Sequence, residues 1–465
     1  MVIAAFNALV LVYFFTLNSV YLGATLLSFR FLARYVRRLE SVDIDDLVAS
    51  GAAPPITLIA PAYNEERTCV EATRSLLTLQ YPEYEVLVVN DGSPDGTLDL
   101  LVETFEMVPA HRLPSAELNT AAVRRIYRSV QHPNLWLIDK ENGGKADAIN
   151  AGLNLCRSPL FCVIDADSLL ERDSLMRVCR PFLEDATTVA VGGIIRIANG
   201  CTVRHGVVEE VRMPRNLLAR FQVLEYLRAF LSGRVAWAEL NAGLIISGAF
   251  GLFRRSTVVA AGGYATDTVG EDMEIVVRLH RYCREQKTPY KIGFIPDPVA
   301  WTECPETLRG MSRQRDRWQR GLIESLTRHR RMLLNPHYGT VGLVAYPYFF
   351  FLEMIGPLIE IAGYTMFGVT LLAGRTSEPY VVAFLSLAII FGIALSTSAV
   401  LLEELTFRGY PRFRDLVHLI WLAIAENMGY RQLNSFWRVK GIFSELRRAK
   451  HWGKAPRKGF LLRPE

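Results

Sequence analysis

Between Met1 and Phe29 the chain has no charged residue, and it has none between Tyr380 and Leu402. Both runs exceed the roughly 20 apolar residues that cross a bilayer, so a wholly water-soluble protein is excluded. A cleaved signal peptide is set aside for the first run, which is too long, opens without a basic segment and lacks a small-residue cleavage site. Cysteine pairs at C-x-x-C spacing are absent, and the seven cysteines, Cys69 to Cys304, are odd in number. Disulfides and a zinc site are therefore not expected, and reduced thiols are. No internal repeat is present. The net charge of +5 is accounted for by basic residues beside the apolar runs, leaving no separate patch for nucleic acid.

Two further apolar runs are interrupted by charge. One, about residues 341–373, contains Glu353 and Glu360; the other, about 416–433, contains Glu426, Asn427 and Arg431. Ionisable groups at membrane depth face a cavity or one another, so these either pair within the protein or line a path for a polar substrate. Arg30, Arg34, Arg37 and Arg38 follow the first run, and Arg438, Lys440, Arg447, Arg448, Lys450, Lys454, Arg457 and Lys458 lie in the tail. The positive-inside rule makes both flanks cytoplasmic. Three crossings already return the tail to that side, so the fourth run is expected to be re-entrant or interfacial.

The block between the first two spans alternates short apolar runs with helical stretches. "ITLIAPAY", "EVLVVNDGS", "LWLIDKENGG" and "LFCVIDADS" read as strands, each ending in a polar cluster. Asn64 reads as a helix cap that places Glu65 and Glu66 in a first turn. Continuous apolar strands alternating with helices predict an α/β unit with a parallel sheet covered on both faces. Ligands of such sheets bind at the carboxyl ends of the strands. One carboxylate there is usually a cap or a turn residue, but four clusters on one rim are poorly explained in that way.

Asp165 and Asp167 are the most informative pair. On a strand, residues at i and i+2 share a face, and like charges held together require a cation between them or protonation of one. Two carboxylates plus water suit Mg²⁺ or Mn²⁺ bridging a diphosphate. Lys145, in a Gly-Gly loop, can neutralise further phosphate charge.

"APAYNEE", "VNDGS", "NGGKADAIN", "DADS", "GED" and "QRDRW" occur in that order. Over about residues 54–321 and the flanking spans, this set resembles the processive family-two membrane glycosyltransferases, the group that includes cellulose, hyaluronan and poly-N-acetylglucosamine synthases. The resemblance implies a GT-A fold, a nucleotide-sugar donor (usually a UDP-sugar) and a location in a bacterial inner membrane with the catalytic domain cytoplasmic. Tyr63, Glu65 and Asp91 would hold the nucleoside, Lys145 and Asp165 would contact the donor, and Asp167, with Asp165, would ligate the metal. Asp272 would be the general base, and Gln314, Arg317 and Trp318 would form the acceptor and pyrophosphate end. It divides the chain into a transmembrane helix at 1–30, a linker at 31–53, a transferase domain at 54–305, an interfacial helix region at 306–340, a membrane region at 341–435 and a basic tail at 436–465.

The chemistry agrees with these roles. Displacement of a diphosphate needs one base for the acceptor hydroxyl and a cation at the leaving group, and a single base fits inversion. Helix capping is the alternative for Asp272. In "LRGMSRQRDRWQRGLIESL", Leu308, Met311, Trp318, Leu322 and Leu326 follow helical spacing among arginines, an interfacial pattern, and Gln314, Arg317 and Trp318 share one face. "SGAFGLFRR" is a candidate wall of the acceptor cleft, and His280 and His418 read as structural. The expected product is a growing polysaccharide coupled to export, with membrane lipid, and a partner subunit or homo-oligomer completing a channel. The alternatives are addition of one sugar to a lipid carrier or glycolipid, and a scaffold or transport protein with an inactive transferase domain.

Overall fold

A computed structural model describes residues 2–39, 53–407, 409–410 and 412–447. Arg448, Lys450, Lys454, Arg457 and Lys458 of the basic tail, and most of the linker, lie outside the described residues. Contacts divide the chain into two units, with boundaries after residues 37, 212, 242 and 304.

Among the described residues the α/β unit contains twelve strands: β1 (Ile56–Ala62), β2 (Tyr84–Asp91), β3 (Met107–Pro109), β4 (Val123–Ser129), β5 (Leu135–Lys140), β6 (Leu160–Ile164), β7 (Leu169–Leu170), β8 (Thr188–Ile197), β9 (Thr202–Arg204), β10 (Val207–Glu210), β11 (Phe250–Arg254) and β12 (Lys291–Thr302). Ten form one sheet in the order β3-β4-β5-β2-β1-β6-β11-β8-β12-β7, and β9 and β10 form a hairpin. The four strands expected from sequence are adjacent and parallel: β1 pairs with β2 and β6, and β2 with β5. The sheet as a whole is mixed, because β11 enters antiparallel to β6 and β8 and β4 antiparallel to β5.

Alternation on the central strands builds the core. Leu87 and Val89 of β2 and Phe161 and Val163 of β6 pack with Ile149 and Leu153 of the helix Lys145–Leu155 and with Ile275 and Leu279 of the helix Glu271–Glu285. Each such fully buried side chain contributes about 1.5–3 kcal/mol through removal from water. At Gly152 an added Cβ would lie 2.6 Å from Ile59 Cγ2, so this glycine lets the helix press onto β1.

The other unit is helical. Two of its helices, Ile3–Arg37 and Glu378–Thr406, are long and apolar enough to cross a membrane, and the bent pair Val341–Met354 and Gly356–Leu372 makes up to three. Pro357 stands just after the 41° bend; its ring removes a backbone donor and crowds the preceding turn. The run at 416–433 is not one helix: it breaks between Phe413–Ala425 and Tyr430–Leu446, with Gly429 at φ 121°. Glu353, Glu360, Glu426 and Arg431, the charges that interrupt the last two apolar runs, have protein partners. Glu353 accepts from Tyr21 Oη (2.9 Å), Tyr348 Oη (2.7 Å) and Arg438 (3.0 Å). Glu360 accepts from Tyr13 Oη at 3.0 Å and from Ser435. Glu426 is fully buried between Arg228, Arg431 (3.2 Å) and Ser396 (2.5 Å).

Candidate active site

The carboxyl ends of β5, β2, β1 and β6 are neighbours, so the polar clusters that follow them share one edge of the sheet. Asp91 ends β2 and is buried. Its Oδ1 accepts from Lys140 Nζ at 2.6 Å and from the Gly143 amide at 3.0 Å; its Oδ2 accepts from the Gly144 amide at 2.8 Å and Asn142 Nδ2 at 3.1 Å. Lys140 is 0 % exposed and also meets Asp147 Oδ1 at 2.6 Å. The Asn142–Gly143–Gly144 turn is thus pinned from below. Gly144 takes φ 89° at the start of the Lys145 helix, a conformation that favours glycine. Here Asp91 holds the loop through both of its oxygens.

Lys145 opens that helix and reaches Asp165 Oδ1 at 2.6 Å and Glu271 Oε1 at 3.1 Å. Burial alone would lower the Lys145 pKa, but the two carboxylates outweigh it and the ammonium is held well above its usual range. Asp272 stands next to Glu271 in the first turn of its helix. The cap position belongs to Gly270; Asp272 Oδ1 accepts from the first-turn Met273 amide at 2.9 Å, and its Oδ2 reaches outside the helix to accept from the Gly248 amide at 3.2 Å. Burial, then the charge of Glu271, push the Asp272 carboxyl above its ordinary value, with Lys145 acting in opposition. Lys145, Ser247, Gly248, Tyr264, Glu271 and Asp272 line one small pocket. A Cβ on Gly248 would stand 2.9 Å from Lys145 Nζ and 3.5 Å from Asp272 Oδ2, so the backbone at Gly248 lies directly against both groups.

Two local expectations are corrected. β6 ends at Ile164, and Asp165 to Ser168 form a turn closed by Ser168 N donating to Asp165 O at 3.0 Å. The Asp165/Asp167 spacing therefore owes nothing to strand alternation: Asp165 is partly exposed and Asp167 is 3 % exposed. Asn64 is no cap either. It adopts φ 58°, and the helix begins only at Cys69. Glu65 precedes it, its amide donating to Thr97 Oγ1 (3.0 Å) and its Oε2 accepting from Thr68 Oγ1 (2.7 Å). Tyr63 is exposed beside it at the end of β1.

Gln314, Arg317 and Trp318 lie on the helix Leu308–Arg328 of the helical unit. Its apolar residues do not form one inward stripe: Met311 and Leu326 are buried, Leu308 and Trp318 exposed. The buried face is instead polar. Arg315 meets Glu225 at 2.7 Å, Arg320 meets Glu445 at 3.3 Å, and Gln319 donates to Met354 O at 2.9 Å. Gly441 of the helix Tyr430–Leu446 makes this fit close, since a Cβ there would fall 2.8 Å from Gln319 Cβ. Gln314 Oε1 is a buried acceptor that meets no donor among the described residues.

Lys140 and Glu271 were not among the site residues expected from sequence. A lysine inside an apolar strand, two residues before Asn142, was the available signal for the first; adjacency to Asp272 was the signal for the second. His280 is structural as expected: fully buried between Tyr290 Oη and Gly243 O, both at 2.9 Å, it is lowered to about 4, mainly by burial.

The donor set at Asp165 and Asp167 fits a hard divalent cation. Both are oxygen donors, and Asp165 already holds a cationic group at 2.6 Å. Among the described residues no group of three or more His, Cys, Asp or Glu converges, so the remaining positions around an ion would fall to diphosphate oxygens and water.

The glycosyl transferase family 2 pattern matches residues 57–112, and that of glycosyl transferase family group 2 matches residues 160–396. The poly-beta-1,6-N-acetyl-D-glucosamine synthase of Staphylococcus aureus (strain COL) is 28% identical over 296 residues, 63% of this chain and 59% of that protein. The enzyme of the same name from Staphylococcus epidermidis is 29% identical over 276 residues, 59% of this chain and 56% of that one. The chain thus spans less than two thirds of these relatives' length. In fold it is similar to the mannosyltransferase PcManGT of Pyrobaculum calidifontis, solved with GDP-Man and Mn²⁺, at TM-score 0.51 and 22% identity over 90% of this chain and 99% of that one. The α/β unit has the GT-A fold, and the chain as a whole belongs to glycosyl transferase family group 2.

Proposed function

We propose that the chain is an inverting membrane glycosyltransferase that moves a sugar from a nucleotide-sugar donor to the growing end of a polysaccharide, with export coupled to growth. Kinship to the staphylococcal synthases supports N-acetylglucosamine as the sugar, carried by UDP as usual in the family it resembles. The observation that carries the reading is Asp272, held by the Gly248 amide, raised in pKa, and set in one pocket with Lys145.

In this reading the acceptor hydroxyl oxygen attacks the anomeric carbon, the bond from that carbon to the diphosphate oxygen breaks, and the hydroxyl proton passes to Asp272. A carboxylate with an elevated pKa is a better base than an ordinary one. Lys145 lies where the leaving diphosphate gains negative charge, and Glu271 and Asp165 hold its ammonium there. A bound Mg²⁺ or Mn²⁺, ligated by Asp167 with Asp165, would offset the rest of that charge. Asp91 acts by fixing the Gly143–Gly144 loop, Tyr63 and Glu65 face the nucleoside, and Gln314, Arg317 and Trp318 receive the acceptor and pyrophosphate. The α/β unit lies in the cytoplasm, where nucleotide sugars are made, so a cysteine label at Ser115 should be protected in intact cells. The test of the function is release of UDP by purified protein from a panel of UDP-sugars with Mg²⁺ or Mn²⁺, with product length read in parallel. No release from any donor rejects transfer; release with single-sugar products rejects polymerisation.

A further inference from the structure

We infer that Arg315 is a positioning residue for the acceptor: its buried guanidinium backs one face of the Trp318 indole and fixes the ring so that the other face can stack a sugar. This rests on the acceptor role proposed for Trp318.

The observations lie within the helical unit. Trp318 is 42 % exposed, an unusual setting for so large an aromatic, while Arg315, three residues earlier, is 2 % exposed. The Arg315 guanidinium carbon stands 4.3 Å from the centre of the Trp318 ring. The guanidinium is itself tied down: Arg315 Nη2 donates to Glu225 Oε2 at 2.7 Å, and Tyr430 Oη donates to the same oxygen at 2.8 Å. Tyr430 in turn stacks on Phe221 at 4.8 Å. Two other helices therefore fix the cation, and the cation fixes the indole. An exposed tryptophan without such backing changes rotamer on a picosecond-to-nanosecond scale and loses that freedom on binding. Arginine suits the task because its guanidinium is planar and stacks on an aromatic face while hydrogen-bonding at its edge; lysine offers a point charge only.

Two measurements on the full chain in detergent test this. The first is acceptor dependence of the rate, with UDP-N-acetylglucosamine as donor and an oligomer of β-1,6-linked N-acetylglucosamine as acceptor. Arg315→Lys should raise the acceptor KM about 3- to 30-fold, the range spanned by a cation–π contact, with kcat and donor KM within about twofold. Adding Arg315→Lys to Trp318→Ala should cause no further rise. The second needs no acceptor: the Trp318 component of tryptophan emission, obtained by subtracting the Trp318→Phe spectrum, should become more accessible to acrylamide in Arg315→Lys. An unchanged quenching constant overturns the inference. So does an unchanged acceptor KM in Arg315→Lys when Trp318→Ala raises it, and then the acceptor role of Trp318 survives alone. A uniform change in kcat, both KM values and melting temperature makes Arg315 a structural prop and also overturns it. No effect of Trp318→Ala removes the acceptor role and the inference with it. If Arg315→Lys does not fold, the neutral pair Glu225→Gln with Arg315→Met is read by the same criteria.

Discussion

Two charged clusters, one in each unit, are closed to different degrees at their carboxylates. In the helical unit, Glu426 has no exposure and is closed in by two arginines and a serine. In the α/β unit, the Lys145 and Asp165 side chains form an ion pair yet stay 20% and 30% exposed at the edge of the sheet. The difference follows from what surrounds each. Within an apolar helical unit an unpaired charge has no water to turn to, so its partners must be internal. At the sheet edge a complete set of internal partners would leave nothing for a ligand. A cluster that is paired but open is the one to test for chemistry, and a cluster that is paired and closed is the one to test for stability.

The largest effect expected on the open side is complete loss of transfer in EDTA, restored by Mg²⁺ or Mn²⁺, and the same loss in Asp167→Ala with the protein still folded. Full activity in EDTA would take the metal out of the reaction. Next, Asp272→Asn should slow transfer by about 10²–10⁴-fold, roughly 3–5 kcal/mol of barrier, while UDP affinity stays within a few-fold. Because the Asp272 pKa is raised and a base must be deprotonated, activity should fall as pH drops through a value above the ordinary carboxylate range. A capping role predicts near-normal turnover instead, since Asn caps as well as Asp.

On the closed side, Glu426→Gln leaves Arg228 and Arg431 facing a neutral group. Loss of one partner from a buried charged set costs about 3–5 kcal/mol, which should appear as a clear drop in melting temperature in detergent. A melt unchanged within error would erase the contrast between the units. The smallest effect sits between the two cases. Asp91→Asn removes a charged acceptor from the Gly143 and Gly144 amides while Asp147 stays on Lys140, and at about 1.5–3 kcal/mol it should weaken UDP binding by about ten- to a hundredfold. Faster hydrogen exchange at those amides would show that the loop had loosened. Weaker binding with unchanged exchange would assign Asp91 to direct contact with the nucleoside.

The central strands were legible because each is a short apolar run closed by turn residues, and four such runs leave little freedom in a parallel sheet. Lys145, Asp165 and Asp272 were legible from motif order, and the structure brings them together at one edge. Distances along the sequence were poorer guides. The Asp165/Asp167 spacing suggested a strand face, whereas the chain turns immediately after Ile164. Asn64 has the side chain of a cap but a left-handed backbone. Hydrophobic spacing found the helix Leu308–Arg328 but not its buried side, which is held by Arg315, Gln319 and Arg320, because no polarity scale assigns arginine to an interior. Lys140 escaped for the same reason: a cation inside a strand is intelligible only once Asp91 and Asp147 are seen on either side of it.

The anchoring of the Gly143 and Gly144 amides to Asp91 also bears on the timing of catalysis. A loop that is already in place has no slow folding step to complete when a donor arrives. Association should then approach the rate set by diffusion and by the attraction between an anionic donor and the Lys145 ammonium, and it should slow as ionic strength rises. Discrimination between donors would be left to how quickly each one departs.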